Sequence, residues 1–428
     1  MRIFLPATLL ATLSVTLPAL PAFGQTLSAT GGTEILRGDA PGLVVNGLKP
    51  GAIATVHLYR LAGKDLLAHA WGEFKADANG KIDVDHTAPL RGTYSGVDPL
   101  GLLWSGEANP LSDIGITTGR DVVVRVDGSS ATLRLILTDG ADRVTAKPVD
   151  LPNLNGYFAR PKQVTGKLPA IILLHGSEGG TPEAAKALAI RFAQLGYAAF
   201  AWNYFRWGAQ PPMNSALVNI PVESFSTVRA WLQNEPDVET EQISIWGGSK
   251  GAEFALVAAA NFNWLDRVVA CVASNVVWEG FGRPKAPGEP YSSWSVGGKA
   301  LPYITYDNYG ESLEGKISAG AVHRRSFIKA TEAERAAARI PIENSKAKIL
   351  LLGATKDHFW PSGDMVARMK ATRAVVYPDA SHFICGTGAE LQRIDPVKNP
   401  EGGDPSPDAT AHAVAAAWAE TRKFLKRD

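Results

Sequence analysis

Three side chains in the C-terminal half of the sequence stand where nucleophilic acyl chemistry needs them. Ile243-Ser-Ile-Trp-Gly247-Gly248-Ser249-Lys250-Gly251 reads as an apolar strand, then G-x-S-x-G, then a helix. That succession is a nucleophile elbow. The serine sits on a tight strand-to-helix turn, small residues two before and two after leave room for the turn, and the hydroxyl is exposed at the carboxyl end of the strand. The N-terminus of the following helix favours developing negative charge. A serine hydroxyl is a poor nucleophile until a base takes its proton, and the base needs an acid to orient it. Downstream, Lys348-Ile-Leu-Leu-Leu-Gly353 reads as a strand with Asp357 in the loop at its end. Ala374-Val-Val-Tyr377 reads as the next strand, and His382 follows it. Elbow scaffolds place their triad in the chain order serine, acid, histidine. Ser249 is therefore the expected nucleophile, His382 the base and Asp357 the acid, with Asp364 and Asp379 as fallback acids. His358 adjoins Asp357 but precedes the final core strand, and it is read as a packing residue.

A tetrahedral intermediate needs donors for its oxyanion. One is expected from the backbone N–H of Lys250, the residue after the nucleophile. The other is expected from the loop His175-Gly176-Ser177-Glu178-Gly179-Gly180 after the first core strand, with Ser177 as the donor. No H-E-x-x-H or C-x-x-C motif occurs, so no metal site and no cofactor is expected.

The elements that position these residues fall into two halves. From Gln25 to about Ala141, short Val-, Leu- and Ile-rich runs alternate with turn signals such as Lys49-Pro50-Gly51 and Ala78-Asn79-Gly80, as in a β-sandwich. After about Asp142 the rhythm changes to buried strands alternating with helices. Ala170–Leu174, Ala198–Trp202, Gln242–Trp246, Arg267–Ser274, Lys348–Gly353 and Ala374–Tyr377 are the strands, and the pattern implies a mostly parallel sheet with helices on both faces. A stretch from about Gly280 to Ile340 breaks that alternation and carries Phe281, Tyr291, Trp294, Tyr303, Tyr306 and Tyr309. It is read as a cap-like insertion; aromatics packed on the body are the alternative. Ala411–Lys426 reads as a closing helix.

Composition excludes several partners. The 428-residue chain is 45% hydrophobic and 20% charged with a formal net charge of +1, an ordinary globular balance that gives no reason to expect nucleic acid. Residues 1–24 pair Met1-Arg2 with an uncharged run ending Ala22-Phe23-Gly24, the pattern of a cleaved export signal. An uncleaved anchor is the alternative; Pro6, Pro18 and Pro21 favour cleavage, and no later segment is apolar and long enough to cross a bilayer. A periplasmic or secreted protein without stable membrane insertion is expected. Of the two cysteines, Cys271 falls in a predicted buried strand and Cys385 three residues after His382; sequence leaves open whether they pair.

Both halves resemble one family, the acyl-CoA thioesterases and bile acid-CoA:amino acid N-acyltransferases. The resemblance rests on Gly47-Leu-Lys-Pro50, Phe74-Lys-Ala-Asp77 with Gly80, and Pro89 to Trp104 in the first half. In the second half it rests on Gly248-Ser-Lys-Gly-Ala-Glu253, Ile340-Pro-Ile-Glu343, Lys356-Asp-His-Phe-Trp360, Tyr377-Pro-Asp-Ala-Ser-His382, Gly402-Gly-Asp-Pro and Ala411-His412-Ala413. It implies an immunoglobulin-like β-sandwich over residues 25–142 and an α/β-hydrolase domain over 143–428 that cleaves or transfers an acyl group from a thioester. The family triad falls on Ser249, Asp357 and His382, and a serine nucleophile resembles the hydrolase branch. Three departures stand out: Lys356-Asp357 replaces paired aspartates, an export signal precedes an enzyme whose family substrate, acyl-CoA, is a cytosolic or organellar metabolite, and His175-Gly-Ser-Glu replaces a more glycine-rich oxyanion loop. The expected partner is a small-molecule acyl thioester, with a non-CoA ester or amide as the alternative for an exported enzyme. A CoA leaving group requires basic residues for its phosphates; His323-Arg324-Arg325 and Arg206 are the candidates, and a solvated charged surface explains them equally well.

Overall fold

The computed structural model describes residues 24–108, 119–387, 400–401 and 403–426. The expected export signal, apart from Gly24, lies outside the described residues.

The N-terminal part is a sandwich of two sheets. One pairs Thr26–Ala29, Leu43–Asn46 and Ile82–Asp83; the other runs Glu34–Leu36, Thr132–Thr138, Asp121–Val126, Ile53–Ala62, Asp65–Lys75 and Arg91–Gly92. Strict alternation builds it. Along Ile53–Ala62 every second side chain from Ala54 to Arg60 is buried while those between face outward. Val45, Val56, Phe74, Val122, Val124 and Trp104 fill the space between the sheets.

The second part is an eight-stranded sheet. Its strands in chain order are β1 (Val144–Leu151), β2 (Leu154–Pro161), β3 (Leu168–Leu174), β4 (Ala198–Trp202), β5 (Val238–Gly248), β6 (Leu265–Cys271), β7 (Lys348–Ala354) and β8 (Arg373–Tyr377). Their spatial order is β1-β2-β4-β3-β5-β6-β7-β8. β1 and β2 form an antiparallel hairpin that pairs antiparallel with β4, and all later pairings are parallel. The hairpin was not among the expected strands. Over β1 only Val144 and Val149 are buried, so the segment lacks the apolar run that betrays a core strand.

The core strands are continuous apolar runs because helices cover both faces. In β3, Ala170, Ile172 and Leu174 face one layer and Ile171 and Leu173 the other. Each fully buried Ile or Leu contributes about 1.5–3 kcal/mol relative to exposure. Helices α2 (Ser224–Gln233) and α3 (Lys250–Asn261) pack on the first face; α1 (Pro182–Ala193) and the closing helix α6 (Pro407–Leu425) pack on the second. The starts of α1 and α6 are fixed locally. Thr181 and Ser406 cap them by accepting from Ala184 N–H and Ala409 N–H, and a proline follows each cap.

Between β6 and β7 the chain leaves the sheet for residues 272–347. The excursion contains two short strands and α4 (Ala319–Lys329), and the short α5 (Ser362–Ala367) follows β7. Its aromatics hold it to the body. Trp294 is buried and stacks on Phe254 of α3, with ring centroids 4.1 Å apart, and Tyr306 stacks on buried Trp278. The parallel strands all point their carboxyl ends to one edge, and the elbow, the acid loop and the histidine loop open there.

Candidate active site

Ser249 joins β5 to α3 with φ +56°, the left-handed backbone of a strained turn. Glycine is required on both sides of it. A Cβ on Gly247 would collide with the Gly251 carbonyl, and one on Gly251 with the carbonyls of His175 and Leu174 at the end of β3. The hydroxyl is therefore pushed out at the sheet edge, where its Oγ lies 2.9 Å from His382 Nε2. His382 Nδ1 lies 2.9 and 2.8 Å from the two carboxylate oxygens of Asp357. A carboxylate only accepts, so Nδ1 carries the ring proton and Nε2 presents its lone pair to the serine.

Asp357 is buried and saturated with donors. Oδ1 accepts from Phe359 N–H at 3.0 Å and Trp360 N–H at 3.2 Å; Oδ2 accepts from the Ser362 hydroxyl at 2.6 Å. Ser362 is an orienting residue that sequence reading did not single out. The fallback acids stand elsewhere: Asp364 is exposed on α5, and Asp379 is exposed in a turn whose N–H bonds Thr355. His358 packs its ring against Phe359 and Phe383, and burial lowers its pKa, which keeps it neutral.

Lys250 is the first residue of α3, so its N–H has no partner within the helix and faces the elbow. The Lys250 ammonium has a separate place. It is buried, 2.9 Å from Glu253 Oε2 and 2.9 Å from Ser293 Oγ. Glu253 Oε1 in turn accepts from Trp294 Nε1 at 2.8 Å and Trp278 N–H at 3.2 Å. Burial pulls the Lys250 pKa down and the Glu253 pKa up, while their mutual attraction opposes both shifts. The pair thus pins the nucleophile helix to the base of the 272–347 excursion. The sequence showed the position of Lys250 but not the destination of its side chain.

The oxyanion loop lies against the serine: a Cβ on Gly176 would stand 3.2 Å from Ser249 Cβ. Gly176 N–H already donates to Glu178 Oε1 at 2.8 Å. The next residue, Ser177, has its carbonyl tied to Trp207 Nε1 at 3.2 Å. His175 stacks on Tyr204, with centroids 4.1 Å apart, and burial lowers its pKa to about 4. Trp207 on the serine-loop side and Phe359 and Phe383 on the histidine side remain part-exposed and give the edge an apolar rim.

Of the candidates for the CoA phosphates, two of the three residues in His323-Arg324-Arg325 are engaged elsewhere. His323 is buried among Trp278, Tyr306 and Trp360, and that burial lowers its pKa to about 3. Arg325 is already paired with Asp307 and Glu311. Only Arg324 of the three is exposed; Arg206 is exposed as well. Among the described residues, no cluster of three metal-ligating side chains occurs.

Cys271 and Cys385 are joined in a disulfide with Cα atoms 5.7 Å apart. Cys271 is the last residue of β6, and Cys385 belongs to the His382 loop.

The sheet order, the strained serine and its hydrogen-bonded histidine and aspartate define the protein as a hydrolase of the α/β-hydrolase fold. The family described as "Acyl-CoA thioester hydrolase/BAAT N-terminal region" matches residues 41–149, and "BAAT / Acyl-CoA thioester hydrolase C terminal" matches residues 220–428. The dienelactone hydrolase family also matches residues 154–275. The chain belongs to the BAAT/acyl-CoA thioester hydrolase family. It is 26% identical to the mitochondrial acyl-coenzyme A thioesterase 2 of Rattus norvegicus, over 94% of this chain and 89% of the relative. It is 24% identical to acyl-coenzyme A thioesterase 1 of Homo sapiens, over 90% of this chain and 92% of the relative. Among solved structures, it is similar to an esterase from Pseudomonas putida, with TM-score 0.37 and 15% identity over 67% of this chain and 84% of that one. It is also similar to the acylaminoacyl peptidase of Pyrococcus horikoshii, with TM-score 0.40 and 14% identity over 72% of this chain and 46% of that one.

Proposed function

We propose that the protein hydrolyses an acyl thioester through an acyl-enzyme on Ser249. The observation that carries this reading is the continuous relay of Ser249 Oγ, His382 and Asp357, linked at 2.9 and 2.8 Å. His382 Nε2 takes the hydroxyl proton as Oγ attacks the acyl carbonyl. Asp357 holds the imidazole in the receptive tautomer and stabilises the imidazolium that forms. The N–H groups of Lys250 and Ser177 receive the oxyanion, and the N-terminus of α3 adds its positive end. Collapse expels the thiolate, which takes the proton from His382. Water then enters, His382 removes its proton, and the acid is released. The part-exposed aromatics Trp207, Phe359 and Phe383 offer the acyl chain an apolar path.

A second reading, a carboxylesterase of the same fold acting outside the cytosol on a non-CoA ester, has its own support. Two of the three residues in the principal candidate for the CoA phosphates are buried or already paired. We propose export as well, on the leader-like residues 1–24 and on the disulfide, because such bonds persist mainly in oxidising compartments.

The test is steady-state hydrolysis of matched pairs, palmitoyl-CoA against p-nitrophenyl palmitate and butyryl-CoA against p-nitrophenyl butyrate, by the mature protein and by Ser249→Ala. A higher kcat/KM on the CoA thioesters, abolished in Ser249→Ala, supports the thioesterase. Inert CoA thioesters beside active esters overturn it in favour of the esterase. Full activity in Ser249→Ala removes the serine from both readings.

A further inference from the structure

Links to the segments that carry all three members of the relay converge on one buried dipeptide, Cys271-Val272. The Cys271 carbonyl accepts the backbone N–H of Ser249 at 3.0 Å. The Val272 carbonyl accepts the indole N–H of Trp360 at 2.9 Å. Trp360 N–H is itself a donor to Asp357 Oδ1. The Cys271 sulfur is bonded to Cys385, three residues beyond His382. One hydrogen bond therefore reaches the nucleophile, one reaches the acid loop, and one covalent bond reaches the histidine loop.

The dipeptide is itself held under strain. Val272 has φ +46°, a left-handed conformation that a β-branched residue rarely adopts. Such residues persist only where the surroundings over-determine them. Here the surroundings are the three links just named, and both residues are buried. The histidine loop lies within van der Waals reach of the elbow: a Cβ on Gly248 would stand 3.4 Å from Cys385 Cβ. Other ties also hold the histidine loop, among them Ser381 N–H to Thr410 Oγ1 at 3.0 Å, Lys356 N–H to the Ala380 carbonyl at 3.0 Å, Arg191 Nε–H to the Thr387 carbonyl at 3.0 Å and the buried side chain of Ile384, but the disulfide is the covalent one.

We infer that Cys271-Val272 is the positioning junction of the catalytic relay, and that the Cys271–Cys385 disulfide holds His382 in register with Ser249, so that full activity requires the oxidised enzyme. The inference rests on the serine-hydrolase reading. Misplacing a catalytic group by about 1 Å costs on the order of 100-fold in rate. Opening the bond needs two electrons and two protons. A dithiol such as dithiothreitol supplies both, closes to its own cyclic disulfide, and leaves Cys271 and Cys385 as thiols.

The experiment uses the full mature chain as wild type, as Cys271→Ala/Cys385→Ala and as Trp360→Phe. It measures kcat and KM on a p-nitrophenyl ester, the pH profile of kcat/KM, the rate of Ser249 labelling by a fluorophosphonate, and near-ultraviolet circular dichroism at 25 °C. The expected result for the folded double variant is a fall in kcat and in labelling rate of about 10- to 100-fold, with KM changed less than about threefold. Trp360→Phe keeps an aromatic side chain but removes the donor to Val272, and a smaller fall of the same kind is expected. If the double variant does not fold, wild type is titrated with dithiothreitol. Loss of activity before loss of the dichroism signal, restored by oxidised glutathione, carries the inference. Wild-type kcat and pH profile in a folded disulfide-free protein overturn it, as does activity lost only in step with unfolding. If oxidised wild type is neither active nor labelled at Ser249, the serine-hydrolase reading has failed rather than the junction.

Discussion

Replacing Asp357 by asparagine changes one heavy atom and reverses the sense of the hydrogen bonds at Oδ2, of which Ser362 can accommodate its own by turning its hydroxyl to accept while His382 cannot. The carboxylate accepts on both oxygens. Two of the donors to Oδ1 are backbone N–H groups of Phe359 and Trp360, which cannot turn round. The amide oxygen of asparagine must take that place. Its NH2 then stands where Oδ2 was, 2.8 Å from His382 Nδ1. Two N–H groups cannot face each other, so the ring gives up its Nδ1 proton and carries one on Nε2. That nitrogen, 2.9 Å from Ser249 Oγ, then has no lone pair with which to receive the serine proton. The geometry survives while the chemistry does not. The expected loss is about 10⁴ in kcat, equivalent to about 5.5 kcal/mol, with little change in KM. Steady-state kinetics and fluorophosphonate labelling would both report it. A variant that keeps more than about a tenth of the wild-type kcat would refute the tautomer argument, because it would mean that Nδ1 keeps its proton by donating to Oδ1 alone.

Three other predictions concern the scaffold. Gly247→Ala drives a Cβ into the Gly251 carbonyl, so a loss of more than about 2 kcal/mol in urea unfolding is expected; an unchanged midpoint would show that the elbow relaxes freely. Lys250→Met leaves Glu253 buried without its counter-charge and should cost about 3–5 kcal/mol, whereas Lys250→Met/Glu253→Gln should recover most of that loss because the amide oxygen still serves both tryptophans. If single and double variants unfold alike, the buried charge is not the source of the loss. At the contact between the two parts, the His412 pKa is raised, chiefly by its hydrogen bond to Asp98. For Asp98, burial works upward but the bonds from His412, Trp104 and Leu100 outweigh it and the pKa is lowered. Stability from His412 is therefore complete below the unfolded histidine value of about 6.5 and is lost as pH rises through the higher folded value. Stability from Asp98 is present above about 3.9 and lost as pH falls through the lower folded value. His412→Gln should lower Tm more at pH 6 than at pH 9, measured by calorimetry; an equal penalty at both pH values would show that no charge is involved.

What sequence could and could not reveal follows from physics. Strands β3 to β7 are buried on both faces, so they read as apolar runs, and the loops after β5, β7 and β8 then had to open on one edge. Ser249, Asp357 and His382 were legible for that reason. The β1–β2 hairpin was not, because Val144 and Val149 are too far apart to make a run and Pro148 breaks the pattern. The Cys271–Cys385 bond spans 114 residues, and no local pattern encodes a 5.7 Å approach over that distance. Arg325 shows the converse error. A basic cluster in a sequence looks like an anion site until the structure supplies Asp307 and Glu311 from other turns. Ser362 escaped notice because a single serine five residues after an aspartate carries no signal of its own.

The closing helix has a consequence for how the chain can be divided. One side of α6 puts Ala411 and Val414 into the core of the N-terminal sandwich, while Ala413, Ala417 and Trp418 pack on the sheet. The same helix offers Thr410 to the backbone of Ser381, next to His382. The two parts are consecutive in sequence but share a wall. Cutting the chain near residue 143 would strip one side of that wall, expose its apolar residues to water and loosen the segment beside His382. The protein is not a pair of interchangeable modules, and a hydrolase excised from its sandwich is expected to precipitate or to survive only as a poor catalyst.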